Sequence, residues 1–275
     1  MSILRNQMIQ HMELKNYSPK TIKAYLSSLM KLTTLYNTSP ELLTVEQIKS
    51  YLHEGITVKK LSRSWVNQTL SSLKILLCDV LKREWEFFDI GRPRREKKLP
   101  VVLSRAEVRA ILQVPKNLKH RALITLAYSA GLRLSEVTHL KPGDIDSARM
   151  QVRVIQAKGN KDRWTVLSPV ALELLREYWL AKKPKVWLFE TRPGKMMCDK
   201  AVQTAFKNAL RKSGVKKDVG IHSLRHSFAT HLMEQGVALP VIQQMLGHTS
   251  LRTTSIYLHV QEYSVATIKS PLDTL

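Results

Sequence analysis

The chain has 275 residues, 44% of them hydrophobic, which is enough for one or two buried cores in a globular protein. No stretch approaches the roughly 18 uninterrupted apolar residues of a membrane helix. The opening MSILRNQMIQHMELKNYSPK has polar residues where a secretory leader carries its apolar core, so a cytoplasmic protein with no membrane attachment is expected. Lys and Arg total 44 against 22 Asp and Glu, a net charge of +22, which asks for a polyanionic partner. Nucleic acid fits better than a membrane surface, because there is no basic amphipathic terminal helix or lipidation signal. The two cysteines, Cys78 and Cys198, are too isolated for a disulfide framework or a zinc site.

Residues 1–90 read as helices joined by short turns, without a convincing strand. Ser18-Pro19 starts a helix whose Ile22, Tyr25, Leu26, Leu29 and Leu32 share one face. Thr44 and Gln47 are spaced as a capping box for a helix to about His53. Ser62 opens the longest helix of this part, with an apolar stripe from Trp65 to Leu81. From Gly91 to Pro100 the sequence is GRPRREKKLP, which reads as an extended, hydrated linker between two domains. Its Arg92, Arg94, Arg95, Lys97 and Lys98 are either a solvated run or a path along a DNA backbone. Basic side chains outnumber acidic ones by 12 to 8 in residues 1–90, 5 to 1 in the linker and 27 to 13 in 101–275, so phosphate binding should fall mainly on the last part.

That part begins with Ser104 and Glu107, a second capping pair. A helix from about Leu118 ends at Gly131, and a shorter one follows near Ser135–Leu140. Residues 150–156 then alternate as a strand, and a polar turn with Lys158, Gly159, Asn160 and Asp162 leads into a second strand at Trp164–Leu167. Ser168-Pro169 opens a helix to about Lys183, and Val186–Glu190 reads as a short strand. Helical patterns follow over about 199–212, 222–235, 238–246 and 250–258. The fold class is mainly α, with a small antiparallel β-sheet in the second domain.

Four clusters carry polar groups suited to phosphate chemistry, and each also has an ordinary reading. In Gly131-Leu132-Arg133-Leu134-Ser135-Glu136, the glycine ends a helix and sets Arg133 in a tight connection, either as a surface residue or as a phosphate ligand. Glu136 suits a helix start or a partner for an arginine better than a general base. Lys158 in the hairpin turn 157–163 either keeps the turn soluble or reaches into a DNA groove, with Lys161 beside it. His222 and Arg225 are three apart on the first turn of a helix, where free N–H groups favour anions. His226 and His231 suit the core or a helix contact. Last, Leu246-Gly247-His248 precedes Tyr257, whose phenol, with a free pKa of about 10, is a poor nucleophile unless cations stabilise the phenolate.

Taken in this order, GLRLSE at 131–136, AKGNKDR at 157–163, HSLR at 222–225, LGH at 246–248 and Tyr257 resemble the tyrosine recombinase (phage integrase) family. The stretch Tyr17–Tyr25 is similar to the opening of that family's helical core-binding domain. The resemblance implies a two-domain clamp: a helical core-binding, SAM-like domain over 1–90, a basic linker over 91–100, and a mixed α/β catalytic domain over 101–275 with a C-terminal tail. It implies site-specific recombination through a 3′-phosphotyrosyl intermediate, with no metal, ATP or other cofactor. Arg133 and Arg225 would bind the scissile phosphate, Tyr257 would be the nucleophile, and Lys158 the general acid. His222 would assist proton transfer and His248 would hydrogen-bond the phosphate. The implied partners are double-stranded DNA recombination sites and further copies of the chain in a tetrameric synaptic complex, with room for accessory DNA-binding proteins. The tail from His259 would dock on a neighbouring protomer. A type IB topoisomerase, relaxing a single duplex, would use much the same residues. A non-catalytic DNA-binding regulator would not require all six.

Overall fold

Several helix starts in this chain are fixed by side chains that satisfy free N–H groups, and the computed structural model shows them at Ser18, Thr44, Ser62, Ser104 and Asn117. It describes residues 2–84, 100–157 and 161–247. The chain divides into two compact units, Met1–Lys97 and Lys98–Leu275. The linker basics Arg92, Arg94, Arg95, Lys97 and Lys98, the hairpin Lys158, and everything from His248 onward, with Tyr257 and the tail, lie outside the described residues.

The first unit holds α1 (Ser2–Leu14), α2 (Pro19–Tyr36), α3 (Val45–Thr57) and α4 (Arg63–Lys74). Ser18 accepts a hydrogen bond from the Thr21 N–H, and Ser62 one from Trp65. Thr44 and Gln47 make both bonds of a capping box. The helices close on Met8, Met12, Leu32, Ile48, Leu73 and Leu76, all almost fully buried. Two sequence expectations shift. The helix expected to end near His53 runs to Thr57. The helix opened by Ser62 is not the longest α-helix, because its ladder widens into a π-helix over Ile75–Val80; the 18-residue α2 is longer.

The second unit holds α5 (Arg105–Gln113), α6 (Leu118–Ser129), α7 (Leu134–Thr138), β1 (Ile145–Asp146), β2 (Gln151–Ala157), β3 (Lys161–Val166), α8 (Pro169–Lys182), β4 (Glu190–Arg192), β5 (Lys195–Met196), α9 (Asp199–Lys212), α10 (His222–Glu234) and α11 (Leu239–Leu246). Helix α6 runs through the core, with six consecutive residues, Ala122–Ala127, buried. Strands β1, β2 and β3 form an antiparallel sheet in that order. Its inner face carries Val152, Val154, Arg163 and Thr165, with Val154 opposite Arg163. The segment that follows the linker is tied down by the Leu103 N–H, which donates to Ser227 Oγ at 2.9 Å.

The hairpin was expected, but its second strand is Lys161–Val166 rather than Trp164–Leu167, and the two-residue β1 was not anticipated. The strand expected at Val186–Glu190 is not one. The N–H groups of Val186 and Trp187 instead turn onto Glu190 Oε1, and pairing begins only at Glu190, with β5. Among the described residues, no helix is long and apolar enough to cross a membrane.

Gly55 is buried in α3 beneath the Trp65 ring, and a Cβ there would stand 2.4 Å from two ring carbons. Trp65 is itself held against Tyr51, with ring centroids 5.1 Å apart. Gly55→Ala should therefore destabilise the full chain by about 1–3 kcal/mol despite alanine's better helix propensity. Equilibrium urea denaturation checks this; a stabilised variant would show that the ring has room to move.

Candidate active site

The local geometry begins at Gly131. It follows α6 with φ +61°, and a Cβ there would meet the Phe228 ring at 2.4 Å. Only glycine suits both the left-handed turn and the close approach. The chain then extends through Arg133, the N-cap of α7. The Arg133 N–H donates to Glu136 Oε2 at 2.7 Å, and Arg133 Nη1 donates to Glu136 Oε1 at 2.6 Å.

Glu136 is 8% exposed, and two more arginines reach it. Arg163, on the inner face of β3, donates from Nη1 to Oε1 at 2.8 Å and from Nη2 to Oε2 at 2.7 Å. Arg225, on the first turn of α10 and 4% exposed, lies 3.5 Å from Oε2. Its Nη1 also donates to the Gly131 carbonyl at 2.8 Å and its Nη2 to the Leu246 carbonyl at 2.5 Å. Helix α11 ends beside them at Gly247, with φ +62°, one residue before His248.

Burial alone would raise the Glu136 pKa. The hydrogen bonds and charge of Arg163, the Arg133 N–H and the charge of Arg225 outweigh it, and the pKa falls to about 2. The carboxylate is thus ionised across the working range. Three guanidinium groups against one carboxylate leave the cluster with an excess of positive charge, as an anion site requires. His222 is exposed but partly desolvated; that desolvation, and then the charges of Arg225 and Arg133, push its imidazole below the ordinary histidine pKa. It is neutral near pH 7 and able to take up a proton.

Of the residues proposed from sequence, the structure brings Arg133 and Arg225 onto one carboxylate, with His222 in their field. Lys161 begins β3. Lys158, His248, Tyr257 and the five linker basics are outside the described residues. His231 makes the helix contact expected of it, with Nδ1 2.9 Å from the Tyr128 hydroxyl. Arg163 was passed over. The signal for it was the strand period, which aligns it with Thr165 and Leu167 on the buried face.

Because the folded pKa of Glu136 lies below its unfolded value of about 4.5, its contribution is present above that value and lost as pH falls towards 2. Between about pH 6 and pH 2.5 the wild type should lose about 2–3 kcal/mol of unfolding free energy that Glu136→Gln does not lose. Denaturant curves at several pH values measure this; parallel losses in the two proteins would contradict it.

Residues 101–263 match the phage integrase family, and residues 4–87 match its N-terminal SAM-like domain. A putative integrase/recombinase, y4qK, of Sinorhizobium fredii is 40% identical, aligning over 100% of this chain and 90% of its own length. A tyrosine recombinase of Thermosipho africanus is 33% identical over 90% of this chain and 91% of its own. Among solved structures, XerH recombinase bound to a palindromic difH substrate superposes with a TM-score of 0.71 at 22% identity, covering 90% of this chain and 78% of that one. A lambda integrase dimer bound to a COC′ core site superposes with a TM-score of 0.74 at 20% identity, covering 96% and 99%. These structures share its fold: a helical SAM-like domain followed by a catalytic domain with a small antiparallel sheet. The chain belongs to the phage integrase family of tyrosine recombinases.

Proposed function

We propose that this recombinase breaks and rejoins DNA through Tyr257, with Arg133 and Arg225 holding the scissile phosphate. The observation that carries the reading is the meeting of two arginines, from a helix-capping turn and from the first turn of α10, on one ionised, buried carboxylate. A phosphate ligand must be pre-oriented, since donors fixed before the reaction act on the transition-state charge without reorganisation. Glu136 supplies that orientation. Arg133, the more exposed of the two, offers the side open to DNA.

In this scheme the Tyr257 oxygen attacks phosphorus and the bond from phosphorus to the 5′ oxygen breaks. The product is a 3′-phosphotyrosyl ester and a free 5′-hydroxyl. The tyrosine proton passes to His222, whose neutral imidazole can accept it. Lys158 gives a proton to the leaving 5′ oxygen, and His248 donates a hydrogen bond to the phosphate. The ester keeps the energy of the broken phosphodiester, so a second 5′-hydroxyl can reverse the step without ATP. The side chains supply the positive charge, and the scheme requires no metal.

The DNA partners would be two double-stranded recombination sites held by four protomers. The basic linker, with Arg92, Arg94, Arg95, Lys97 and Lys98, would track the backbone together with Lys161. Accessory DNA-binding proteins would join at some sites. The domain limits proposed are 1–90, 91–100 and 101–275, and the working compartment is the cytoplasm.

Nicked suicide duplexes tiled across the DNA flanking its own gene test the reading. Wild type should become covalently attached to a 3′ end at a defined position, and Tyr257→Phe should not. An adduct formed equally by Tyr257→Phe would overturn the assignment. At the mapped site, Arg133→Lys should keep DNA binding but cleave about 100-fold more slowly, because an ammonium cannot reproduce the guanidinium fork. Single-turnover rates at saturating protein measure this, and a wild-type rate would contradict it.

A further inference from the structure

The last carbonyls of a helix have no partner within it, and at the end of α11 three arginines take them, one each. Arg163 Nε donates to the Met245 carbonyl at 2.8 Å, Arg225 Nη2 to Leu246 at 2.5 Å, and Arg133 Nη2, more weakly, to Gly247 at 3.4 Å. These are the same arginines that share Glu136. Two of them have work to do on the phosphate. Arg163 has none in the scheme above, yet its guanidinium alone grips both oxygens of the carboxylate, where Arg133 needs its backbone N–H for the second.

Its stem adds a second constraint. A Cβ on Gly247 would stand 2.7 Å from Arg163 Cδ, so the glycine sits directly against the arginine side chain. Arg163 also belongs to β3, the strand that follows Lys158 in the chain. One buried guanidinium thus joins the hairpin, the carboxylate and the helix end.

We propose that Arg163 is a positioning residue for strand cleavage: it fixes the Glu136 carboxylate that orients Arg133 and, through Met245 and Gly247, the end of α11 that leads to His248 and Tyr257. This rests on the catalytic roles proposed for those residues. Net stability is a weak reason for such a group, since buried ion pairs are often replaceable by apolar residues at little cost. A fork that must satisfy a carboxylate and a carbonyl together is a geometric device, and lysine cannot reproduce it.

The test uses Arg163→Lys in the full chain, on the suicide duplex that wild type cleaves and Tyr257→Phe does not. That pair of controls decides the catalytic reading independently of Arg163. Arg163→Lys should bind the duplex with a Kd within about threefold of wild type, because Arg163 is buried and reaches no DNA. Its single-turnover cleavage at saturating protein should fall by up to about 100-fold, the scale of a misplaced reacting group.

A cleavage rate within twofold of wild type, or a loss confined to Kd, would overturn the proposal. If circular dichroism shows Arg163→Lys unfolded, Glu136→Gln combined with Arg163→Gln removes that buried ion pair as a whole and leaves Arg225 in place. Slow cleavage with retained binding by that pair supports the positioning role, and wild-type cleavage overturns it. Failure of the pair to fold as well would also overturn it, by making the group structural.

Discussion

A carboxylate buried among three guanidinium groups organises the catalytic domain of this recombinase. Glu136 is held by Arg133 from its own helix cap, by Arg163 from β3 and by Arg225 from α10. Removing one partner from such a buried ionic group typically costs about 3–5 kcal/mol, because the remaining charges are left without compensation. The elements that carry the partners must therefore arrive together. Gly131 sharpens the turn before Arg133, Val154 sets the register of Arg163, and Phe228, packed against Gly131, places α10. Sheet, helix cap and helix start become one unit through a single side chain.

In the proposed scheme, the same cluster would give a dianionic transition state a site that exists before DNA is present. Three like charges would repel one another unless a counter-charge held them, and Glu136 is that counter-charge. It leaves the cluster positive and directs the donors, which is the preorganisation on which phosphoryl transfer depends. The end of α11 is brought into the arrangement through its carbonyls, so the segment that continues to His248 starts from a fixed point.

Much of this was legible in the sequence, for identifiable reasons. Ser18, Thr44, Ser62 and Ser104 announced helix starts, because caps act through local bonds that spacing reveals. The grouping of Arg133 with Arg225 came from motif order rather than from any local signal. What escaped was non-local. The strand expected at Val186 was lost to Glu190, whose side chain folds that segment into a turn. The π-helix after Lys74 leaves no mark in an apolar stripe. Arg163 looked like one of several basic residues around a hairpin tip, and only its place in the two-residue period set it apart. Its partners, Glu136 and Met245, are remote in sequence, so its role appears only when the fold is known.

The ionised, three-arginine state of Glu136 is the claim on which the rest turns. It is tested most directly by following the Glu136 side-chain carboxyl carbon resonance through an acid titration, assigned by comparison with Glu136→Gln. The expected result is a carboxylate that stays ionised throughout the folded range, with a midpoint near 2. A midpoint near the ordinary glutamate value of about 4.5 would contradict the arrangement, since a carboxylate bound by three guanidinium groups cannot titrate like one in water.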